Sequence, residues 1–215
     1  SSKFFEPEAT QATQLMVNFI RESELHVLPW TTEAESLRRR SEWLRLSGIV
    51  QNWIDLSNAM LLKNLDGWLA PFLDGITRRA QLSRLNMTEI LQSQFSYEQR
   101  RELDRLAPTH LQAPTGSRIL VDYSGDLPIL AVRLQEMFGE VNTPTVGGGT
   151  VRVVLHLLSP ARRPLGVTQD LPSFWKNAYI EVRKDMRGQY PKHYWPENPL
   201  EAEPTTRTKK AMDRK

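Results

Sequence analysis

The sequence predicts an α+β chain: an N-terminal helical bundle followed by a small sheet with two packed helices. Three observations carry this. Residues 1–108 show apolar residues at three- and four-residue spacing and no sustained alternation. A Pro/Gly-bearing connector, Thr109–Ser117, marks a change of texture, and period-two and continuous apolar runs follow it. The chain then closes on a helical pattern from Asp170 and a Pro-, Glu- and Lys-rich end. The expected organisation is a helical domain over 1–108, a small α+β domain over 109–195 and a loosely ordered tail over 196–215.

Taken in order, Pro7 to about Ser23 reads as a helix with Ala9, Ala12, Leu15, Met16, Phe19 and Ile20 on one stripe. Leu25–Trp30 is a short apolar link. Thr31 or Thr32 caps the next helix, Glu33–Leu46, with Glu35 three residues after Thr32 as a capping-box partner. That helix presents Leu37, Trp43, Leu44 and Leu46. Its Arg38-Arg39-Arg40 run reads as a solvated face paired with nearby glutamates, phosphate contact being the other reading. Asp55–Ile76 is expected to be helical in two pieces around Gly67 and Pro71. Its Leu61, Leu62, Leu65, Trp68, Leu69, Phe72 and Leu73 are too many apolar residues for a surface helix and should form the core of this half. Met87–Gln94 and Tyr97–Leu106 add two short helices, started by Thr88 and Ser96, and Pro108 ends the series.

Arg118–Tyr123 alternates as a strand with Ile119, Val121 and Tyr123 on one side. Pro128–Phe138 is expected to be a helix stopped by Gly139, and Val141–Gly149 a loop. Val151–Leu158 is almost continuously apolar and reads as a central strand. Ser159–Arg163 turns and Leu165–Thr168 is extended. Asp170–Trp195 reads as one helix, capped by Asp170, with Pro172 in the first turn and Gly188 placed for a left-handed end. The expected order is β-α-β-β-α. No internal repeat is visible at a period of 20 to 50 residues.

Composition limits the chemistry. The 215 residues are 40% hydrophobic and 25% charged, ordinary for a globular protein, and long enough for one domain or two small ones. The absence of cysteine excludes disulfides, thiolate metal sites and thiol nucleophiles, and fits a cytoplasmic setting. No run approaches membrane-spanning length and no signal peptide opens the sequence, so no membrane partner is expected. The leading Ser1-Ser2 fits an expression scar, and the chain a fragment of a larger protein. Gly147-Gly148-Gly149 lacks the Lys-Ser/Thr of a phosphate-cradling loop and leads into a strand, so it reads as a connector. His26, His110, His156 and His193 are scattered, with none three or four residues from another. Asp122 and Asp126 carry no acid–base signature and no Gly-x-Ser-x-Gly element occurs. No catalytic residue, metal site or cofactor is expected within these residues.

The positive signal is basic and aromatic. Residues 1–110 carry 13 Lys/Arg against 14 Asp/Glu, whereas residues 111–215 carry 15 against 11. Arg162 and Arg163 follow a strand. Lys176, Arg183, Lys184 and Arg187 lie on the last helix, and Lys192, His193, Tyr194 and Trp195 follow it, with Arg207, Lys209 and Lys210 beyond. Cationic groups bind phosphate oxygens and aromatic rings stack on unpaired bases. The candidate nucleic-acid-binding set is therefore Arg162, Arg163, Lys176, Arg183, Lys184, Arg187, Lys192, Tyr194 and Trp195. A core helix whose solvent side happens to be basic is the other reading of the same residues.

Ordered blocks of sequence add to this. Pro114–Arg118, Leu130–Gly139, Leu155–Pro160, Arg163-Pro164, Val167-Thr168, Asp170-Leu171, Phe174-Trp175, Val182–Lys184, Met186–Gly188, Tyr190–His193 and Trp195-Pro196 follow one another. Together they resemble the C-terminal region of bacterial HrpB-type ATP-dependent helicases, relatives of the DEAH/RHA helicases. Leu28-Pro-Trp30 and Trp68-Leu69-x-Pro71 resemble the preceding segment more loosely. The resemblance implies an intact protein with two RecA-like motor domains that hydrolyse ATP with Mg and move on nucleic acid, single-stranded RNA being the expected partner. This chain lacks every motor motif. What the resemblance implies for it is a non-catalytic accessory role in nucleic-acid binding. The alternative is a protein-docking module that packs on the motor domains or on a partner protein, with Trp30 or Trp195 as an anchor.

Overall fold

A computed structural model of the chain describes residues 5–214, with side chains described from Thr10 onward. The chain divides between Ala107 and Pro108 into two compact units.

The first unit is helical. Its elements are α1 (Phe5–Glu22), α2 (Thr32–Ser47), α3 (Asn58–Lys63), α4 (Leu65–Trp68), α5 (Met87–Gln92) and α6 (Tyr97–Leu106), with 3₁₀ turns at Ala70–Phe72 and Arg79–Arg84. α1 buries Met16, Val17 and Ile20, while Leu15 of the expected stripe faces solvent. Ala9 lies outside the described side chains. Thr31, not Thr32, caps α2 by accepting from the Ala34 N–H at 3.1 Å, so Glu35 falls one residue past the capping-box position. Leu46 is exposed because it lies on the far side of that helix from Leu37 and Leu44. Leu61, Leu65, Trp68, Leu69 and Leu73 lie in the core, as their density predicts, but Phe72 of the same expected set is exposed and Leu62 is only half-buried. The break between the helical pieces falls at Asn64. Gly67 sits inside α4, where a Cβ would approach the Asn64 side chain to 2.5 Å. Asn86 caps α5 in place of Thr88, and Ser96 with Gln99 closes a reciprocal capping box on α6.

The arginine run is not a solvated face. Arg40 is buried, with Nε donating to the Ala107 carbonyl at 2.8 Å and Nη2 to Asp104 at 2.8 Å. Arg38 donates to the Leu56 carbonyl and lies over the Trp30 ring at 5.6 Å. Only Arg39 pairs with a glutamate across a solvated helix turn, Glu35 at 4.0 Å.

The second unit holds β1 (His110–Gln112), β2 (Arg118–Asp122), β3 (Ile129–Arg133), β4 (Thr145–Val146), β5 (Val151–Arg152), β6 (Val154–Leu158) and β7 (Pro164–Thr168), then α7 (Leu171–Lys176), α8 (Ala178–Gln189) and α9 (Lys209–Met212). The five-stranded sheet runs β1-β2-β3-β6-β7, and β4-β5 is a separate two-stranded ribbon. All pairs are antiparallel except β3 with β6, which are parallel in the register Leu130 to Leu155 and Val132 to Leu157.

Two expectations fail here. Pro128–Phe138 is not a helix but β3 followed by a 3₁₀ turn, Leu134–Met137. Leu130 and Val132 are buried and Ala131 is exposed, the alternation of a strand. The order β-α-β-β-α is therefore replaced by strands followed by helices. Asp170–Trp195 is not one helix either. Asp170 caps α7 through the Ser173 N–H, but the helix breaks at Asn177 (φ −116°, ψ −74°), whose amide donates back to the Ser173 carbonyl. α8 runs through Gly188 and ends at Tyr190, so Gly188 takes no left-handed turn.

The aromatic faces of these helices meet over the end of the 3₁₀ turn. Phe138, Trp175 and Tyr179 pack with centroids 6.2 Å, 6.3 Å and 5.4 Å apart, and the Tyr179 hydroxyl donates to the Pro196 carbonyl at 2.6 Å. Beyond Pro196 the backbone is tied back at several points. Gly139 donates to Pro199, Thr205 to Gln135, and Lys209 to Lys192, the last beside a bridge between His193 and Thr208.

Candidate nucleic-acid interface

The turn between β6 and β7 is closed by its own backbone. Ser159 N donates to the Arg163 carbonyl at 2.8 Å, and Arg162 N to the Ser159 carbonyl at 2.8 Å. Arg162 adopts φ 61°, a left-handed conformation uncommon for a residue with a Cβ, and the turn points its neighbours outward. The buried Ser159 hydroxyl lies 3.3 Å from the Tyr190 hydroxyl. Tyr190 ends α8. This pair ties the hairpin loop that carries Arg162 and Arg163 to the residue after α8, which stands between Arg187 and Lys192 in sequence. All four cations are exposed, as is Lys184 one turn before Arg187. Among the described residues, none of these five is in an ion pair with the protein's own acids. The C-terminal end of α8 carries partial negative charge, which favours cations there. Tyr194 is 39% exposed beside them.

Three predicted residues do not join this patch. Trp195 is 4% exposed, and its indole N–H donates to the Tyr190 carbonyl at 3.0 Å, so the ring is a buried wedge and cannot stack on a base. For the same reason it cannot anchor a partner. Arg183 is half-buried; its Nε donates to the Trp195 carbonyl at 2.9 Å and its Nη2 lies 3.9 Å from Glu197, so it holds the segment after the helix. Lys176 lies on α7, across the break at Asn177, where it lines a separate cleft of about 660 Å³ with Val141, Ile180 and Leu200. Conversely, Ser159 and Tyr190 organise the patch, and the only sequence signal for them was a Ser-Pro after a strand and an aromatic residue after a helix.

His193 backs the patch. Its Nδ1 is 3.1 Å from the Gln135 amide nitrogen, and its ring lies 6.2 Å from Tyr190 and 6.5 Å from Trp195. Burial, and then the charge of Arg133, lower its pKa from the ordinary 6.5, against a smaller raising effect from the Arg207 backbone. Arg133 Nε is already buried without a partner, so a second positive charge is poorly accommodated. A depressed folded-state value means stability that is present above the unfolded value and lost as pH falls through the folded one. The amide of Lys209, bonded to the Lys192 carbonyl, should therefore exchange faster, after correction for intrinsic chemistry, at a pH well below 6.5 than above it. A His193→Gln variant should flatten that dependence.

Gly147, Gly148 and Gly149 take φ 66°, 67° and 86° in the turn that joins β4 to β5, so they form no phosphate cradle at a helix start. Among the described residues no group of three or more His, Asp or Glu is placed to hold a metal ion, and no helix is long and apolar enough to cross a membrane.

A family model for the C-terminal region of HrpB-type ATP-dependent helicases matches residues 68–199, more than half of the chain. The chain belongs to this HrpB C-terminal family. The matched span takes in the hairpin tip, α7 and α8. The ATP-dependent RNA helicase HrpB of Escherichia coli (strain K12) is 44% identical over 209 residues, 95% of this chain and 25% of that protein. The crystal structure of the E. coli DExH-box NTPase HrpB matches with a TM-score of 0.81 and 44% identity over 91% of this chain and 24% of that one. The crystal structure of the E. coli DEAH/RHA helicase HrpB matches with a TM-score of 0.71 and 42% identity over 88% and 24%. The chain thus spans about a quarter of the length of these relatives.

Proposed function

We propose that this HrpB C-terminal chain is a non-catalytic accessory module of an ATP-dependent RNA helicase and binds single-stranded RNA through the cationic patch. The observation that supports this is the Ser159–Tyr190 contact, which ties the loop of Arg162 and Arg163 to the chain between Arg187 and Lys192; among the described residues none of these four exposed cations is in an ion pair. The RNA class comes from the printed name of the E. coli relative. ATP, Mg and their hydrolysis belong to motor domains of a longer chain; the residues here do not fit a nucleotide cradle, because the triple-glycine turn leads into β5. Tyr194 offers a ring to an unpaired base, and Lys184 extends the phosphate track along α8.

Each neutralised phosphate of a single strand contributes roughly 0.7 to the slope of log affinity against log salt. Four such contacts give about fifty-fold weaker binding when salt rises from about 50 to about 200 mM. Fluorescence anisotropy of a labelled oligouridylate against the 215-residue chain measures this. The double reversal R162E/R187E should lower affinity at least tenfold and flatten the salt slope, with an unchanged far-UV spectrum. Salt-insensitive binding, or a folded double variant that binds as the parent does, would sink the reading.

A further inference from the structure

Ile180 lines the 660 Å³ cleft and is 64% exposed. Lys184 and Arg187 follow it by four and seven residues on α8, so at 100° per residue all three fall within an arc of about 60°. The stripe of Lys184 and Arg187 therefore leads along α8 to Ile180 in the cleft lining, to which Lys176 also belongs. The cleft itself is unlike the track. Its walls include Val141, Pro172 and Leu200, and its polar lining sets three acceptors, the Asp170 and Glu197 carboxylates and the Asn177 carbonyl oxygen, beside two donors, the Lys176 ammonium and the Asn198 amide. Asp170 and Glu197 supply carboxylates; one Asp170 oxygen accepts from the Ser173 N–H at 3.1 Å and one Glu197 oxygen lies 3.9 Å from Arg183, which leaves the second oxygen of each for a ligand. The Asn177 amide nitrogen is used up on Ser173, which leaves its carbonyl oxygen as an acceptor.

Carboxylates repel phosphate but accept well from amino and imino N–H groups. Flat apolar walls with acceptors at the edge match a base lifted out of its strand, and a surplus of acceptors matches a base with an exocyclic amine. We propose that the cleft bordered by Ile180, Leu200, Asp170 and Glu197 receives one unstacked, amine-bearing nucleobase, guanine above all, from the strand whose phosphates lie along Lys184 and Arg187. This rests on the RNA-binding reading above and names a base-reading subsite within it. Of four bases, uracil offers the fewest donors and should be held least.

The probe is a labelled 12-residue oligouridylate with one central position varied: guanosine, uridine or an abasic ribose, with all phosphates retained. The 215-residue chain should bind the guanosine strand about tenfold tighter than the abasic one, with uridine nearer to the abasic strand. Ile180→Asp should erase this difference; Glu197→Gln should narrow the preference for guanosine over uridine about threefold. Salt-dependent binding that ignores the varied position, or a guanosine preference that survives Ile180→Asp, overturns the cleft proposal alone. The first of these would leave the cleft to an apolar protein segment. Absence of salt-dependent binding to any of the strands overturns both readings.

Discussion

Phe138→Ala is expected to destabilise the second unit by about 4 kcal/mol, the range for deleting a fully buried aromatic ring. Phe138 has no solvent exposure. Its ring stands edge-on to Tyr179 at 81° and tilted to Trp175, so the loss includes aromatic pair energy of about 1 kcal/mol as well as apolar area. The next residue, Gly139, has φ 82° and donates its N–H to the Pro199 carbonyl at 2.8 Å. A collapsed cavity would therefore disturb the backbone tie beside it. Urea denaturation followed by near-UV dichroism reports the aromatic cluster directly. Phe138→Leu keeps most of the volume and should lose about 1.5 kcal/mol. A loss below about 1 kcal/mol for the alanine variant would mean that the three rings do not form the core of this unit.

Arg40→Ala should cost the first unit about 3 kcal/mol. The Arg40 side chain is 8% exposed and satisfies the carbonyl of Ala107, itself fully buried, so no water can replace it there. Its other partner, Asp104, is 76% exposed, and the ion pair contributes less because solvent screens it. Asp104→Ala should therefore cost only about 1 kcal/mol, since Arg40 keeps its buried acceptor and turns its outer nitrogen to water. Arg40→Lys should lose nearly as much as alanine, because a single ammonium cannot meet both acceptors in the planar fork geometry. Arg39→Ala, one residue away on the solvated side, should change stability by less than about 0.5 kcal/mol. Parallel urea titrations of the four variants test the ordering. Equal losses at positions 39 and 40 would mean that the run acts as a uniform charged face.

What the residues disclosed by themselves were local matters. Ser96 at the start of α6, Asp170 as the cap of α7, and most of the Leu61–Leu73 core follow from spacing and capping chemistry. The α+β class survives for the same reason. β3 was misread because Ile129-Leu-Ala-Val132 satisfies a helical stripe and a strand alternation equally well. What decides between them is β6, a parallel partner more than 20 residues away. The break at Asn177 was hidden because Trp175 and Tyr179 keep helical spacing across it. Within the candidate site, Arg162, Arg163, Lys184, Arg187, Lys192 and Tyr194 could be named from residue type alone. Trp195 and Arg183 could not be set apart from them, because whether a ring or guanidinium faces water depends on the Tyr190 and Trp195 carbonyls that hold them.

The middle of the second unit depends on residues made much later. Gln135 accepts from Thr205, seventy positions onward, and β3 cannot pair with β6 until the intervening ribbon has emerged. Such long-range closure slows folding. During synthesis β3 can pair with β2, but its other edge must stay open until β6 emerges, while the helical half upstream can already consolidate. A cell making this chain would need to shield that nascent stretch, and a slow codon or a missing chaperone should be felt first between Ile129 and Leu158.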